Sequence, residues 1–437
     1  MKISPRKILS YPARIKSFTT NNPTAANYAI DGILALGAMN LAANNNNLFA
    51  QRLGAGDFHL AMLQFLPQLL NLFLLIPAGL FVDSLVNKRR MLSAALVGAA
   101  VFFLAGAAAG FIIGFDIVQP LFFFLAFLAL ANASLMLYNI SWQGYFPEVV
   151  VEGRRNSVLT LRARMGILVS LVIPLISGGV LAAIPSESGK IIAHQVFYCI
   201  VAVMLIFNAA HLRKIIAVDP APPKKIRLEE LKKAGSRLLG NRQFKIFVGV
   251  ALFFHMTWHI DWTLYFIGQA NYLRMNEFQL GLTAVGSTAA QLLTLRFWSK
   301  RNQRLGPEKP MTFGILGLAL NPVAIIVATS LPLAAGPVVF LIMHTIAMLT
   351  FATVGLNIFQ CLMPVLDTEY RGFSISVYTC LITLSNAIMP VVGVALYRTL
   401  GGDLNGLRWA FAIVLVLRLM AGGLWWFRLR RLVPASA

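Results

Sequence analysis

Charged side chains are scarce in this sequence. Only 12% of its 437 residues are Asp, Glu, Lys or Arg, and just 16 are acids. Hydrophobic residues make up 58% of the chain. A soluble fold of this length cannot bury so much apolar surface. The composition therefore excludes a soluble globular protein and predicts an all-α protein that folds in a lipid bilayer.

Cysteine and the short catalytic motifs are also rare or missing. The three cysteines, Cys199, Cys361 and Cys380, lie inside apolar runs, so we interpret them as small core residues rather than disulfide partners or metal ligands. The sequence contains no Gly-x-x-x-x-Gly-Lys-Ser/Thr phosphate loop, no Gly-x-Ser-x-Gly motif and no His-Glu-x-x-His motif. We therefore expect neither an enzyme nor a bound cofactor or metal.

Basic residues strongly outnumber acids, and the net charge is +21. In a soluble protein this charge would suggest a nucleic-acid partner, but in a membrane protein it follows from the excess of Lys and Arg in cytoplasmic loops. If both termini are cytoplasmic, all but six of the 37 Lys and Arg residues lie in or beside cytoplasmic segments. The exceptions are Arg52, Lys190, Arg274, Arg398 and Arg408 in outer segments, and Arg418 within a span. The asymmetry predicts cytoplasmic termini and no nucleic-acid partner.

Twelve apolar segments have about the 20 residues that a bilayer core requires. They are 27–49, 58–82, 91–113, 119–144, 157–183, 192–212, 244–270, 278–298, 311–330, 334–363, 373–398 and 407–427. The predicted domains are a basic segment (1–26), a six-helix half (27–212), a linker (213–243), a second half (244–427) and a tail (428–437). Within the linker, 224–239 predicts an amphipathic helix on the inner leaflet, with a regulatory docking site as the alternative.

The connection between the second and third spans combines a small residue, a carboxylate and a basic cluster. The small residue lets two helices approach closely, and the basic cluster holds the connection in the cytoplasm. These residues are Gly79, Asp83, Lys88, Arg89 and Arg90. Their order resembles the signature loop of the major facilitator superfamily.

The two halves of the sequence repeat. Residues 57–60, Asp-Phe-His-Leu, recur 220 positions later as Glu-Phe-Gln-Leu at 277–280. The same shift places Gln303 opposite Asp83, inside a second basic loop. The superfamily resemblance therefore covers nearly the whole chain. It implies twelve transmembrane helices in two pseudo-symmetric six-helix bundles that rock around a midplane site.

Only two acids, Asp31 and Asp261, fall inside predicted spans. A charge there costs about 2.5–3.5 kcal/mol on insertion scales, which favours a partner or a function for each. Asp261 lies near His255 and His259, and an imidazole titrates near neutral pH. We hypothesise that these three residues couple proton movement to transport. The alternatives are hydrogen bonds to neighbouring helices, or a metal site built from the histidine pair.

Polar stripes run along the first, fourth, seventh and tenth spans, which the resemblance places around a central cavity. Amide side chains supply both a donor and an acceptor to a solute. The alternatives are that the first-span asparagines mark its wet end, and that the aromatic residues are ordinary packing. The predicted cavity residues are Asn40, Asn44, Asn47, Asn132, Asn139, Gln143, Trp258, Trp262, Tyr265, His344, Asn357 and Gln360.

A set of charged residues near the cytoplasmic ends predicts a gating network. Asp31 lies at a depth similar to that of Arg162 and Arg164, so we expect an ion pair with one of them. The pair could be an inner gate, or it could simply lower the cost of burying both charges. The resemblance further implies that Asp83 caps the eleventh span and that the basic cluster pairs with Glu148.

These features predict a proton-coupled secondary active transporter of a small organic solute that works by alternating access. The partners are membrane lipid, the solute and protons, and we expect a monomer in a bacterial inner membrane. Export of an amphipathic compound is favoured because of the aromatic lining and the lack of a dense charged cluster. The alternatives are an importer of a sugar, amino acid or siderophore, or a non-transporting sensor or scaffold. The last is suggested by Ser84, Val86 and Gln303, which depart from the signature loop.

Overall fold

Long helices make up almost all of the described chain. The computed structural model describes residues 23–85, 87–112, 119–215, 228–366 and 371–431, and no strand occurs among them. The first six helices are α1 Pro23–Arg52, α2 Asp57–Asp83, α3 Lys88–Ala107, α4 Pro120–Val149, α5 Glu152–Ala183 and α6 Glu187–Leu212. They are followed by α7 Leu228–Gly240, α8 Arg242–His259, α9 Trp262–Ile267, α10 Glu277–Leu305, α11 Glu308–Leu318, α12 Leu320–Thr329, α13 Gly336–Leu362, α14 Arg371–Thr399 and α15 Leu404–Arg431.

Nine helical segments of the described residues are long and apolar enough to cross a membrane. The predicted first, seventh and eighth spans are also helical, as α1, as α8 with α9, and as α10, but they are not among the nine. These three carry the asparagine run, the His-Trp-Asp segment and a stretch of Gln, Thr and Ser, respectively. Their polarity, and the break in the second of them, explain the difference from the predicted twelve.

Two predicted spans are interrupted in the middle. The seventh span, expected to be continuous over 244–270, breaks at Ile260 and Asp261 between α8 and α9. The ninth, expected over 311–330, breaks at Ala319 between α11 and α12. Pro322 accounts for the second break, because proline has no N–H and its ring clashes with the carbonyl four residues earlier. At the first break, Gly393 of α14 approaches the Ile260 carbonyl so closely that a Cβ would collide with it.

The helices pack in two groups. Helices α1–α6 form the N-terminal group and α8–α15 form the C-terminal group, and the main packing between them runs along α2 with α14 and α5 with α10. We name the two ends of the molecule after residues found there, the Arg52 end and the Lys88 end. The α5–α10 contact lies towards the Arg52 end, where a Cβ on Gly178 would lie 2.5 Å from the Glu277 carbonyl oxygen. Glycine thus permits the two groups to touch closely at that end.

The described part of the linker helix, α7, covers Leu228–Gly240, and Ala234 and Leu238 on it are buried. It packs on α8 and α14. The proline-rich part of the linker (216–227), residues 1–22 and the tail after 431 lie outside the described residues. The predicted amphipathic helix therefore has part of its apolar face against the protein.

Candidate functional site

A cavity of about 210 Å³ lies where the two groups meet, between α1, α5, α9 and α10. Its walls therefore come from both groups of helices. Of the predicted cavity residues, Asn44, Asn47, Trp262 and Tyr265 line it. The remaining lining residues are Ala43, Asn45, Leu48, Pro174, Ser177, Gly178, Leu181, Phe266, Gln269, Glu277, Leu280 and Gly281.

The chemistry of the cavity wall is divided between amides and aromatic rings. Asn44 uses its Nδ2 on the carbonyl of Asn40, 2.8 Å away, which leaves its Oδ1 as an acceptor. Asn47 and Gln269 add further amide groups. Trp262 and Tyr265 supply the aromatic side. Such a wall suits a solute that has both hydrogen-bonding groups and an apolar face.

The other predicted cavity residues lie outside this lining. Asn40 donates to Ser170 of α5 at 2.9 Å, and Asn132 donates to its own helix at Leu128. Asn139 is half-buried, whereas Gln143 and Gln360 are exposed near the Lys88 end.

Three more of them bind or stack on neighbouring helices. His344 contacts Ser287 at 2.9 Å and Asn321 at 3.0 Å. Asn357 and Asn302 form a reciprocal amide pair. Trp258 stacks on Phe254 and His259 of its own helix, α8, and packs against Phe351 of α13 with the ring centroids 4.9 Å apart. These contacts join helices of the C-terminal group.

Asp31 is fully buried in the N-terminal group and pairs with Arg162, with Nε 2.7 Å from Oδ2. This is one of the two predicted partners; the other, Arg164, is exposed. Three further donors reach the same carboxylate, from Tyr138 at 2.7 Å, Trp142 at 3.1 Å and Asn208 at 2.9 Å. Both oxygens of Asp31 are therefore fully hydrogen bonded.

Asp261 is also fully buried, at the break between α8 and α9. Its Oδ2 accepts a hydrogen bond from Arg418 Nη2 at 2.6 Å. The other oxygen, Oδ1, has no well-formed hydrogen bond within the described part of the chain. Tyr265, which lines the cavity, lies close to both charges. Arg418, to which the sequence assigned no role, is thus the partner of the second membrane carboxylate.

The two histidines of α8 contact α14 rather than Asp261. His255 Nε2 lies 3.3 Å from the Tyr378 hydroxyl, and His259 Nδ1 lies 3.1 Å from Ser385 Oγ. Their rings are neighbours, with centroids 5.4 Å apart, and His259 packs edge-on to Trp262 at 4.8 Å. They therefore form a continuous aromatic column from α8 to the cavity wall. Within the described chain, no group of three or more His, Cys, Asp or Glu residues could hold a metal ion.

A cluster of charges at the Arg52 end joins the two groups directly above the cavity. Arg52 of α1 and Lys190 of α6 both bind Glu277 of α10, the latter at 2.8 Å. Arg52 also binds Glu187 at 3.1 Å and His194 at 2.9 Å. Within the described residues, every ion pair between the groups lies at this end. We call Arg52, Lys190 and Glu277 the end cluster.

The pKa of the Glu277 carboxyl in the folded protein lies below its ordinary value. Partial burial raises the pKa, but the hydrogen bond and charge of Lys190, together with the charge of Arg52, lower it by more. Glu277 is the first residue of α10 and precedes the predicted span 278–298. Its ionised form is therefore stabilised by this contact.

At the Lys88 end, the contact predicted for the basic cluster is present. Lys88 Nζ lies 2.5 Å from Glu148 Oε1, and both side chains are buried. Arg89 donates to the carbonyls of Arg213 and Ile215, at the end of α6. Arg90 is exposed, and a Cβ on Gly79 would meet nothing within 4 Å. The Asp83 side chain and Val86 lie outside the described residues, so the predicted cap on α14 stays a prediction.

Sequence reasoning missed the end cluster and Arg418. Arg52 and Lys190 were noted only as exceptions to the charge asymmetry, and Glu277 only as part of the repeat. The signal that could have predicted the cluster is the presence of Arg52 and Lys190 in the outer segments. Lys and Arg are few there, so each one indicates a specific contact.

Comparisons with known proteins agree with this arrangement. The family model of the Major Facilitator Superfamily matches residues 32–366. No curated protein sequence matches the chain. Among solved structures, a bacterial homologue of the iron transporter ferroportin in its inward-facing state has a TM-score of 0.69 at 13% identity, covering 92% of this chain and 98% of that chain.

Two other solved structures are similar. The nucleoside transporter NupG has a TM-score of 0.73 at 10% identity, with 92% of this chain and 99% of that chain covered. A D-xylose–proton symporter has a TM-score of 0.68 at 15% identity, with 95% and 98% covered. Identities this low establish the shared fold and leave the solute open.

Proposed function

This chain belongs to the Major Facilitator Superfamily, and from that premise we propose that it is a proton-coupled secondary transporter of a small organic solute. It is a multi-pass membrane protein with the fold of transporters. We place it in a bacterial inner membrane with both termini and the Lys88 end in the cytoplasm, because Lys and Arg concentrate at that end. Under this proposal, the protein moves the solute across the membrane without converting it chemically.

Twelve spans in two six-helix bundles are part of this proposal. The nine apolar segments, together with α1, the broken pair α8–α9, and α10, would give that number. The three less apolar segments, α1, α8–α9 and α10, supply three walls of the cavity. Polar residues are tolerated at membrane depth when they face such a cavity. The contact between the groups at the Arg52 end corresponds to a state that is closed to the outside.

The observation that carries proton coupling is the incomplete hydrogen bonding of Asp261. A buried carboxylate with one unpaired oxygen is more readily neutralised by a proton than one that receives four donors. Asp31 is of the second kind and is assigned a structural role. His255 and His259 are included in the proposed coupling as the titratable members of the aromatic column that reaches the cavity wall at Trp262. Tyr265 connects Asp261 with the cavity.

The wall of the cavity supports a solute with both polar and apolar surfaces. The charges beside it are paired, Glu277 with Arg52 and Lys190, and Asp261 with Arg418. The amides and aromatic rings are therefore left to recognise the solute. Outward movement of an amphipathic compound fits this lining better than uptake of a strongly charged nutrient.

Flux measurements in vesicles test the proposal. The purified protein is reconstituted with a pH-sensitive dye inside, and hexoses, nucleosides, amino acids and amphipathic dyes are added in turn under an imposed pH gradient. We expect one class to change the internal pH, and Asp261→Asn to abolish this change while leaving solute exchange intact. Glu308→Gln, which removes an ion pair with Arg428 inside the C-terminal group, is the control. Unchanged pH coupling in Asp261→Asn would remove that residue from its role, and the absence of flux with every class would favour a scaffold.

A further inference from the structure

Arg418 of α15 is 1% exposed and lies in the middle of an apolar segment. Its guanidinium binds three groups on other helices. Nη2 donates to Asp261 at 2.6 Å, Nη1 donates to the Leu318 carbonyl at 2.9 Å, and Nε donates to the Thr257 carbonyl at 3.3 Å. Thr257 lies before the break between α8 and α9, Asp261 lies at that break, and Leu318 lies just before the break between α11 and α12.

The Leu318 carbonyl needs an external donor because of the sequence that follows it. In a continuous helix it would accept the N–H of residue 322, but that residue is Pro322. A backbone carbonyl without a donor is costly at membrane depth. Arg418 supplies the missing donor, so it completes the break between α11 and α12.

The same side chain also completes the break between α8 and α9. There Asp261 has a non-helical backbone, with φ −100° and ψ 1°, and its side chain makes no capping hydrogen bond. Arg418 holds the carboxylate on one side of the break and the Thr257 carbonyl on the other. A planar guanidinium can meet several acceptors in fixed directions, which a lysine ammonium cannot match.

We propose that Arg418 is a positioning residue that transmits the charge state of Asp261 to the break between α11 and α12. While Asp261 is ionised, it fixes the guanidinium, which in turn holds the Leu318 carbonyl. When Asp261 is neutral, the guanidinium loses its anion and the α11–α12 break loosens. The other titratable groups around this pair are His259 on α8, Tyr265 on α9 and His344 on α13.

The use of this link in transport rests on the proposed function, but the link itself can be tested without a solute. We expect Asp261→Asn to accelerate amide hydrogen exchange in the segment 319–325 by about tenfold or more, although the substitution is on another helix. Glu308→Gln is the matched control, because Glu308 is on α11 and binds Arg428 of α15 but touches neither break. Unchanged exchange at 319–325 in folded Asp261→Asn would overturn the proposal.

Pro322→Ala provides a second variant, because it restores an N–H that can bond the Leu318 carbonyl within the helix. In that background, Asp261→Asn should accelerate exchange at 319–325 much less than it does in the natural sequence. Equal acceleration in both backgrounds would overturn the role of the Leu318 contact. If exchange responds as expected but no solute moves, only the proposed transport function fails.

The pH profile of flux tests the role of Arg418 in coupling. Arg418→Lys keeps the charge but not the three directions of donation, so we expect it to shift the pH of half-maximal flux. Pro322→Ala should move that pH back towards the natural value. A purely structural role would lower the amount of active protein and leave the pH unchanged, which would overturn the coupling role.

Discussion

At the level of single residues, the two buried acid–arginine pairs differ in how fully the carboxylate is hydrogen bonded. Asp31 receives four donors, and the Arg162 guanidinium also lies 4.2 Å from the centre of the Trp142 ring. Among the described residues, Asp261 receives one well-formed side-chain hydrogen bond, from Arg418, and Tyr265 lies close to it without a well-formed bond to Oδ1. Neutralising Asp31 would thus disrupt more contacts than neutralising Asp261. This difference is why we assign stability to the first pair and coupling to the second.

The Asp31 pair should therefore be important for stability. We expect Asp31→Asn to lose about 3–5 kcal/mol, because it removes the anion of Arg162 and at the same time disturbs the hydrogen bonds from Tyr138, Trp142 and Asn208. The midpoint of thermal unfolding in detergent measures this loss. Asp57→Asn should cost about 1 kcal/mol or less, because its ion pair with Arg398 is 3.9 Å long and Arg398 is exposed. Similar melting shifts in the two variants would contradict the assignment.

At the level of helices, the end cluster ties α10 to α1 and α6. Glu277 begins α10, where the helix dipole favours a negative charge. Asn276 and Gln279 form a capping box around this helix start, so the carboxylate is held on an ordered backbone. The close α5–α10 approach at Gly178 lies beside it. The Arg52 end is thus held by both charge and close packing.

The end cluster predicts a pH dependence. Because the folded pKa of Glu277 is lowered, its contribution to the contact is fully present above the ordinary pKa of 4.5 and is lost as the pH falls through the lower folded pKa. Glu277→Gln should have the same effect at neutral pH. At neutral pH, where a cysteine thiol still reacts with maleimide, Glu277→Gln should increase, several-fold, the labelling of Asn47→Cys in the cavity by a maleimide that cannot cross the membrane.

Labelling of the cavity cysteine needs a background that lacks Cys199, Cys361 and Cys380. Glu187→Gln is the matched control, because Glu187 binds Arg52 and Lys190 within the N-terminal group and does not reach α10. If Glu277→Gln and Glu187→Gln label equally fast, the end cluster does not hold the two groups together.

At the level of the whole molecule, composition and periodicity predicted the membrane fold, while the tertiary pairs were mostly beyond reach. The Asp31–Arg162 contact could be anticipated because both residues lie at a similar membrane depth. Arg418 and Asp261 are 157 positions apart, and nothing local links them. The break at Ala319 could have been read from Pro322, but the one at Ile260 depends on its close contact with Gly393 of another helix. Site residues on a shared stripe were predicted together, yet only some face the cavity, because neighbouring helices bind the others.

The central claim is that the two groups of helices must separate at the Arg52 end during transport. Gln51 of α1 donates to Asn271 of the C-terminal group at 3.2 Å, and both side chains are exposed. Replacing both with cysteine, in a background without the natural cysteines, allows a short reducible cross-linker to join the groups. Each single variant treated in the same way is the control.

The decisive measurement is solute flux by the cross-linked double variant in vesicles, before and after reduction. We predict that the cross-link stops flux, that reduction restores it, and that neither single variant responds. Flux at the natural rate through fully cross-linked protein would contradict alternating access at this end.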